Sequence, residues 1–503
     1  NKIVNQTLQV VNKCIEVIED LMLSKELRAA SQIVAIVGLI FSILMFVPWL
    51  ASLAIGWYGG EPFLWSGLTA GFGCVLILLA TRGETPRISA RFGILVVNML
   101  WWIIPLICAV PFMLSLPDLT IMDAIFEATS GLTTTGATVL SNLVEQPRPI
   151  LLWRSIMQWI GGLGILSLGL ILLPFLRVGG MQLFRMENSD RAEKPLPRLI
   201  EISKSIILIY LFLSGSCALA YVAVGVAPFD SIAHAMTTVA TGGFSTHDES
   251  IGFYRDSAVL WVAIIFMFLG GLPFSFFIAL FFTRSLPKPD PQIYFFILLI
   301  VTASFVVIVV DLTSSELSFF KISEYIFNVV AIITTTGYAS GDFMSYSGIG
   351  PVLFFFLIFI GGCAGSTSGG IKIYRFVILA QLIRSSLNEL IYSRGIFLIR
   401  YGRQIVDQAV FRSAIILITT FLSFLALFTI ILGAMGLDFI TALSGAASAL
   451  ANVGPGIGEI IGPTGNYSTL DDPAKGVLII AMILGRLELL VVMALFLPIL
   501  WRD

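Results

Sequence analysis

MDAIFEATSGLTTTGATV, residues 122–139, is too polar to cross a bilayer and too apolar to be an ordinary loop. It opens near an acid, Asp123, and closes near a glycine, Gly136, with room for a short helix between them. Three further stretches share the plan: PFDSIAHAMTTVATGGFS at 228–245, SEYIFNVVAIITTTGYAS at 323–340 and MGLDFITALSGAASALANVGPG at 435–456. Their acids are Asp230, Glu324 and Asp438, and their glycines Gly242, Gly337 and Gly454, the fourth copy being about three residues longer.

Each stretch lies between two apolar runs. A bilayer needs about 20 apolar residues per helix, and runs of that order occur near 32–57, 62–81, 91–115, 150–176, 198–226, 254–283, 293–312, 348–380, 409–436 and 475–500. The second run of each unit carries its own landmark: WIGGLG at 159–164, FLGGLP at 268–273, FIGGCA at 359–364 and ILGRLE at 483–488. Two landmarks recurring in one order mark an internal repeat. The expected fold is therefore an all-α polytopic membrane protein. Four parallel helix–pore loop–helix repeats stand in a pseudo-fourfold arrangement, preceded by two extra N-terminal transmembrane helices. The divisions are an amphipathic segment 1–31, the extra helices 32–90, and repeats at 91–190, 191–288, 289–405 and 406–503. In the first of these, Val4, Leu8, Val11, Ile15, Ile18 and Met22 form a short seam suited to lying on a surface or to helix pairing.

Composition agrees. Of 503 residues 57% are hydrophobic and only 12% charged, whereas soluble domains are roughly a quarter charged. Cys14, Cys74, Cys108, Cys217 and Cys363 lie mostly in apolar runs and read as small buried hydrophobes rather than a disulfide or metal framework. Two histidines, His234 and His247, argue against a His-dependent metalloenzyme or a Ser-His hydrolase. His234 reads as a packed core residue. GCAGSTSGG lacks the GxxxxGK[ST] spacing of a nucleotide-binding loop, since Ile371 separates Gly370 from Lys372.

Bases cluster on the connectors between units, including Arg177, Arg185, Arg284, Arg384, Arg394, Arg400, Arg403 and Arg412, which places those connectors in the cytoplasm. The re-entrant segments carry most of the acids, so Asp123, Asp230, Glu324 and Asp438 are candidates for an outer vestibule that gathers cations. They also suit helix N-termini. Short helices entering from outside point their C-terminal ends, with their partial negative charge, at a common axis. A glycine beyond each end lets carbonyls replace the water around a dehydrated cation. The candidate filter is Thr134, Thr135 and Gly136; Ala240, Thr241 and Gly242; Thr335, Thr336 and Gly337; Asn452, Val453 and Gly454. Without carboxylates there, the reading is a monovalent-cation pathway.

The third unit's second run is broken by GGCAGSTSGGIK, 361–372. Irregular backbone survives in a membrane only inside protein or beside a cavity. Gly361, Gly362, Cys363, Ala364, Gly365, Ser366, Thr367, Ser368, Gly369 and Gly370 are therefore a candidate gate loop under the filter. The equivalent position in the fourth unit is Arg486, whose charge costs about 2.5–3.5 kcal/mol near mid-membrane on insertion scales. It is a candidate gate residue, holding loop carbonyls and opposing a cation; the competing reading pairs it with Glu488. Lys372 is either part of the gate or the first base at the cytoplasmic boundary.

TTTGATV at 133–139, GGFSTHD at 242–248, IGGCAGSTSGG at 360–370, GPGIGE at 454–459 and GRLE at 485–488 together resemble the Trk/Ktr/HKT superfamily of potassium transporters, and more closely its bacterial Trk-type pore subunit. The chain departs from that pattern in the extra amphipathic segment 1–28, at Ser368, where glycine is usual, and at Tyr338. The resemblance implies potassium as substrate at the filter and no cofactor in this chain. It implies a homodimer in the bacterial inner membrane, surrounded by lipid, and a cytosolic nucleotide-binding regulatory subunit of the TrkA type. No nucleic-acid partner is expected. A Ktr-type pore, a sodium-coupled potassium transporter, and a secondary transporter with a midplane substrate site stand as alternatives.

Overall fold

The computed structural model describes residues 25–82, 89–172, 195–282, 290–311, 318–346, 348–392, 395, 397–402 and 404–501. The seam of residues 4–22, the connector bases Arg177, Arg185, Arg284, Arg394 and Arg403, and Cys14 lie outside them. Helices are numbered here in chain order.

Helix α1 (Lys25–Ile55) and α2 (Glu61–Ala80) are the extra pair. Residues 25–31, assigned from sequence to the N-terminal segment, are instead the first turns of α1. Ala29 and Ala30 are buried there beside Phe92, Leu95 and Val96, and Glu26 pairs with Arg91 at 2.9 Å. These contacts continue the helix past the point where hydropathy alone ends it.

The first repeat is α3 (Ala90–Ser115), the short α4 (Ile121–Leu132) and α5 (Arg148–Leu172). The second is α6 (Pro195–Ala223), short α7 (Pro228–Val239), and α8 (Ser257–Gly271) with α9 (Phe274–Phe282). The third is α10 (Pro291–Asp311), short α11 (Phe319–Ile333), α12 (Gly350–Ile358) and α13 (Ile373–Ile391). A small hairpin of β1 (Arg400–Tyr401) and β2 (Gln404–Ile405) leads to the fourth: α14 (Gln408–Ala434), short α15 (Phe439–Ala451), α16 (Asp472–Arg486) and α17 (Leu490–Met493). A final turn, α18 (Pro498–Trp501), ends the described chain.

Side-chain caps start three of the four short helices, and the second begins at Pro228 after Ala227 without one. Thr120 and Asp123 form a reciprocal capping box on α4, Ser318 caps α11, and Asp438 caps α15 by accepting from Thr441 N at 3.1 Å. Of the four acids only Asp438 is itself the cap residue; the others stand inside their helices.

The repeats close on themselves. Within each repeat the first helix packs on its own short helix: α3 on α4, α6 on α7, α10 on α11 and α14 on α15. The second helix then packs on the short helix of the next repeat: α5 on α7, α8 on α11, α12 on α15, and α16 back on α4. This cyclic order is the pseudo-fourfold ring.

Among the described residues, seven helices are long and apolar enough to cross a membrane, or up to nine counting two bent pairs. Those pairs correct the sequence reading, which took 254–283 and 475–500 as single runs. The chain turns by 91° between α8 and α9 and by 102° after α16. Pro273 explains the first bend, since it can neither donate a hydrogen bond nor accept a helical predecessor. At the second, Glu488 and Leu489 adopt φ of +56° and +47°. Leu53, Phe72, Leu219 and Phe305 are exposed on the outer face of the bundle, as lipid-facing side chains are.

The GG landmarks have a steric origin. A Cβ at Gly161 would run into the Leu132 carbonyl and one at Gly485 into that of Leu450, while at Gly270 the Val239 carbonyl lies 2.9 Å away. Each glycine lets the second helix touch the C-terminal carbonyls of its own short helix.

Candidate functional site

Beyond each short helix the backbone repeats one figure. Thr134, Thr241, Thr335 and Asn452 take φ of +52°, +49°, +57° and +54°, and two residues later Gly136, Gly243, Gly337 and Gly454 take +82°, +82°, +73° and +108°. The second candidate filter is thus one residue out of the register assigned from sequence. Gly243, not Gly242, is the left-handed glycine; Gly242 stands where Thr135, Thr336 and Val453 stand. Ala240 precedes the figure, aligning with Thr133, Thr334 and Ala451. Either residue of the Gly242–Gly243 pair can turn left-handed, so composition could not choose between them.

The four loops meet as a ring. A Cβ on Gly136 would strike the Gly242 carbonyl, one on Gly243 that of Thr336, one on Gly337 that of Val453, and one on Gly454 would lie 2.6 Å from that of Thr135. Asn452 Nδ2 bridges the closure by donating to Thr135 Oγ1 at 3.0 Å and to Met482 O at 2.9 Å.

Directly against this ring lies the loop 361–370. Thr367 Oγ1 donates to the Val239 and Gly270 carbonyls, both at 3.1 Å, and receives Thr241 Oγ1 at 3.2 Å. Gly369 N donates to Thr335 Oγ1 at 2.6 Å. Thr241 and Thr335 occupy the same position in the ring, so the loop touches two filters at once. Its base is pinched by Gly361 N donating to Ile371 O at 3.0 Å, and Lys372 Nζ reaches Ser368 O.

Arg486 is buried and aims its Nη1 at Thr367 O, 3.2 Å away, and its Nη2 at Gly161 O, 3.4 Å away. Its pairing with Glu488 is not what the structure contains. Glu488 is taken by the buried Arg375 at 2.8 Å, whose guanidinium also lies 4.9 Å from the Tyr374 ring centre. Arg486 therefore bridges the third repeat's loop and the first repeat's second helix.

The family model described as TrkH, cation transport protein, matches residues 68–501. The Trk system potassium uptake protein TrkI of Halomonas elongata is 38% identical over 481 residues, covering 94% of this chain and 96% of that one. TrkH of Vibrio parahaemolyticus is 34% identical over 491 residues, covering 95% and 100%. The crystal structure titled as the potassium transporter TrkH from Vibrio parahaemolyticus superposes with a TM-score of 0.86 at 32% identity, over 94% of this chain and 99% of that one. The chain belongs to the TrkH family of cation transport proteins.

In this TrkH-family chain the candidate filter is held from behind by residues most of which the sequence reading missed. Inside each short helix, five residues before its last in the first three and seven in the fourth, stands a polar side chain that grips the segment beyond the left-handed glycine. Glu127 accepts from Val139 N at 3.0 Å, Asn328 from Ser340 N at 3.1 Å, and Ser444 Oγ from Ile457 N at 2.9 Å. In the second repeat His234 Nε2 meets Ser245 Oγ at 2.9 Å, which is the packed role read for it. Glu127 is itself paired, fully buried, with Arg154 at 2.7 Å. Arg154 also donates to Ser245 O at 2.8 Å and Thr138 Oγ1 at 3.2 Å and covers the Phe244 ring. It thereby ties the first and second filters together. A lone arginine within the apolar run 150–176 was the available signal, because an intramembrane charge has a partner or a task.

Tyr338, the departure in the third filter, also joins repeats: its hydroxyl bonds Thr237 and Thr238 of the second short helix. The vestibule acids are mostly engaged. Asp123 pairs with the buried Lys475 at 2.6 Å, Asp230 lies 3.4 Å from His247 Nε2, and Glu324 meets Lys321 at 3.2 Å and accepts from Tyr346 OH at 2.7 Å. A cavity of about 110 Å³ opens between the filters, lined by Gly136, Gly243, Gly337, Gly454, Asp248 and Tyr467 among others.

Proposed function

We propose that this chain is the pore subunit of a Trk-type potassium uptake system in a bacterial inner membrane. Potassium passes down the axis of the ring, stripped of water and held by backbone carbonyls of 134–136, 241–243, 335–337 and 452–454. The observation that carries this is the single left-handed figure repeated in all four loops and closed in cyclic contact. Aligned short-helix ends add negative potential there, and the outer acids add to cation attraction. The relatives named as potassium uptake proteins support potassium as the ion.

In this reading loop 361–370 is the gate, with Arg486 its latch and Lys372 a second tether, and repeats 91–190, 191–288, 289–405 and 406–503 are its working units. The chain acts as a homodimer with a cytosolic nucleotide-binding subunit; any nucleotide belongs to that partner. The test is rubidium uptake into proteoliposomes under potassium and sodium competition, with the protein alone. Wild type should be slow and potassium-selective. Deleting Ala364–Ser368, or Arg486→Ala, should each raise flux, and the double change should add little to either. If folded single variants stay at wild-type flux, the loop is a structural linker; if sodium competes equally in every variant, the potassium reading fails.

A further inference from the structure

The cytoplasmic hairpin β1–β2 is joined to the intramembrane loop by a chain of side chains whose donations converge on Asp290 from both ends. Tyr401 Oη donates to Asp290 Oδ1 at 2.5 Å. Asp290 caps α10 by accepting from Gln292 N at 3.1 Å, and its other oxygen accepts from Gln292 Nε2 at 2.7 Å. The amide of Gln292 is thereby oriented, so its Oε1 must face the opposite way. There it accepts from Ala364 N, in the middle of the loop, at 2.8 Å. Gln292 is buried at a helix start, where a polar side chain costs free energy unless its groups are satisfied. An apolar residue there could not receive the Ala364 N–H.

A second contact runs beside the first. Ala364 belongs to a small apolar cluster with Tyr374, Ile378, Val406 and Val410, apart from the main core, and Ile399, Tyr401 and Phe411 pack against it. Hairpin, loop and the start of α14 thus share side-chain contacts. The next loop residue is fixed from another repeat, since Phe274 N donates to Gly365 O at 2.9 Å. Burial and the facing Asp290 carboxylate push the Tyr401 phenol up, so it remains a donor.

The geometry points to Tyr401, Asp290 and Gln292 as positioning residues that hold loop 361–370 in place from the cytoplasmic hairpin. Displacement of the hairpin then withdraws Tyr401, frees Asp290 to turn, and releases the amide that holds Ala364 N. The hairpin's outer face supplies a handle, since Arg400 and Ile405 are both exposed. Whatever docks at the cytoplasmic side need only move this hairpin to reach a loop inside the membrane. The inference rests on the reading of the loop as a gate for its consequence in flux, but not for the linkage itself.

Cys363, buried and next to Ala364, reports loop release directly. Cys217, buried in α6 of another repeat, reports general loosening. Full-length protein in detergent, as wild type, Tyr401→Phe or Gln292→Leu, would be labelled with a small maleimide and the two sites quantified by mass spectrometry. Losing one hydrogen bond should raise the Cys363 to Cys217 labelling ratio about 2- to 10-fold in Tyr401→Phe, and further in Gln292→Leu, which removes the acceptor for Ala364 N and the donor to Asp290 Oδ2. An unchanged ratio in both variants, or a parallel rise at both cysteines, overturns the linkage. Rubidium uptake by the same samples separates the two readings: a raised ratio with wild-type flux supports the linkage and refutes the loop as gate. A raised ratio with raised flux supports both.

Discussion

Arg154→Met tests the support of the filter. The guanidinium is 1% exposed and makes three polar contacts, to Glu127 at 2.7 Å, Ser245 O at 2.8 Å and Thr138 Oγ1 at 3.2 Å. Methionine fills similar space but leaves the Glu127 carboxylate buried with only Thr138 Oγ1 and Val139 N to satisfy it. Removing one partner of a buried ion pair costs about 3–5 kcal/mol, whereas replacing both partners with groups of similar volume is often near neutral. Glu127→Gln with Arg154→Met keeps an acceptor for Val139 N and removes both charges. The double variant should therefore recover most of the stability lost by Arg154→Met, with a coupling of about 2–3 kcal/mol in a double-mutant cycle. Thermal unfolding in detergent reads stability. Rubidium uptake under sodium competition reads the filter, because the Arg154 contacts end on strands leaving the first and second filters. The expected pattern is a large loss of stability for the single variant, recovery for the double, and weakened potassium preference in both, since both lose the tie to Ser245. Wild-type stability and selectivity in Arg154→Met would refute the assignment of this pair as the filter's brace.

Gly337→Ala should weaken potassium preference, because φ is +73° and the new Cβ meets the Val453 carbonyl, which belongs to the neighbouring filter and cannot swing aside alone. Gly56→Ala is the control. It has φ +78° with nothing within 4 Å, so it should carry only the left-handed strain of about 1–2 kcal/mol and leave ion competition in tracer uptake unchanged. At Asp438, hydrogen bonding by Thr441, first through its side chain and then its backbone, holds the carboxyl below the usual carboxylate range. A lowered folded-state pKa means the contribution is present above the unfolded value and is lost as pH falls through the folded one. Asp438→Asn, which also caps well, should therefore flatten the acid limb of the stability profile while leaving stability at neutral pH close to wild type, as a pH series of thermal unfolding would show.

The repeat was legible because it is written twice in each unit, once as acid-to-glycine and once as the GG landmark, and both have steric causes. What escaped the reading are features set between repeats rather than within one. The one-residue shift at Gly242–Gly243 had a signal: Gly243 lies thirteen positions after its acid, as Gly136 and Gly337 do after theirs. Equal spacing reflects an equal number of helical residues before the left-handed turn, which residue type alone does not encode at a glycine pair. The bend at Pro273 was visible as a proline, but the one at Glu488 and Leu489 was not, since neither residue favours positive φ; tertiary contacts impose it, including the ion pair from Arg375. Arg154 and Glu127 illustrate the same limit, because 27 residues separate them in sequence and periodicity within one helix cannot pair them. Three of the differences among the four units carry a contact that a symmetric ring would lack. Arg486 replaces a glycine and reaches the third unit's loop, Asn452 replaces threonine and reaches Thr135, and Tyr338 follows the third glycine and reaches the second short helix. A ring of four identical loops would have no such single point of attachment. With loop 361–370 present in the third unit, Arg486 of the fourth and Thr241 of the second reach that loop across repeats, and Thr335 meets it from its own.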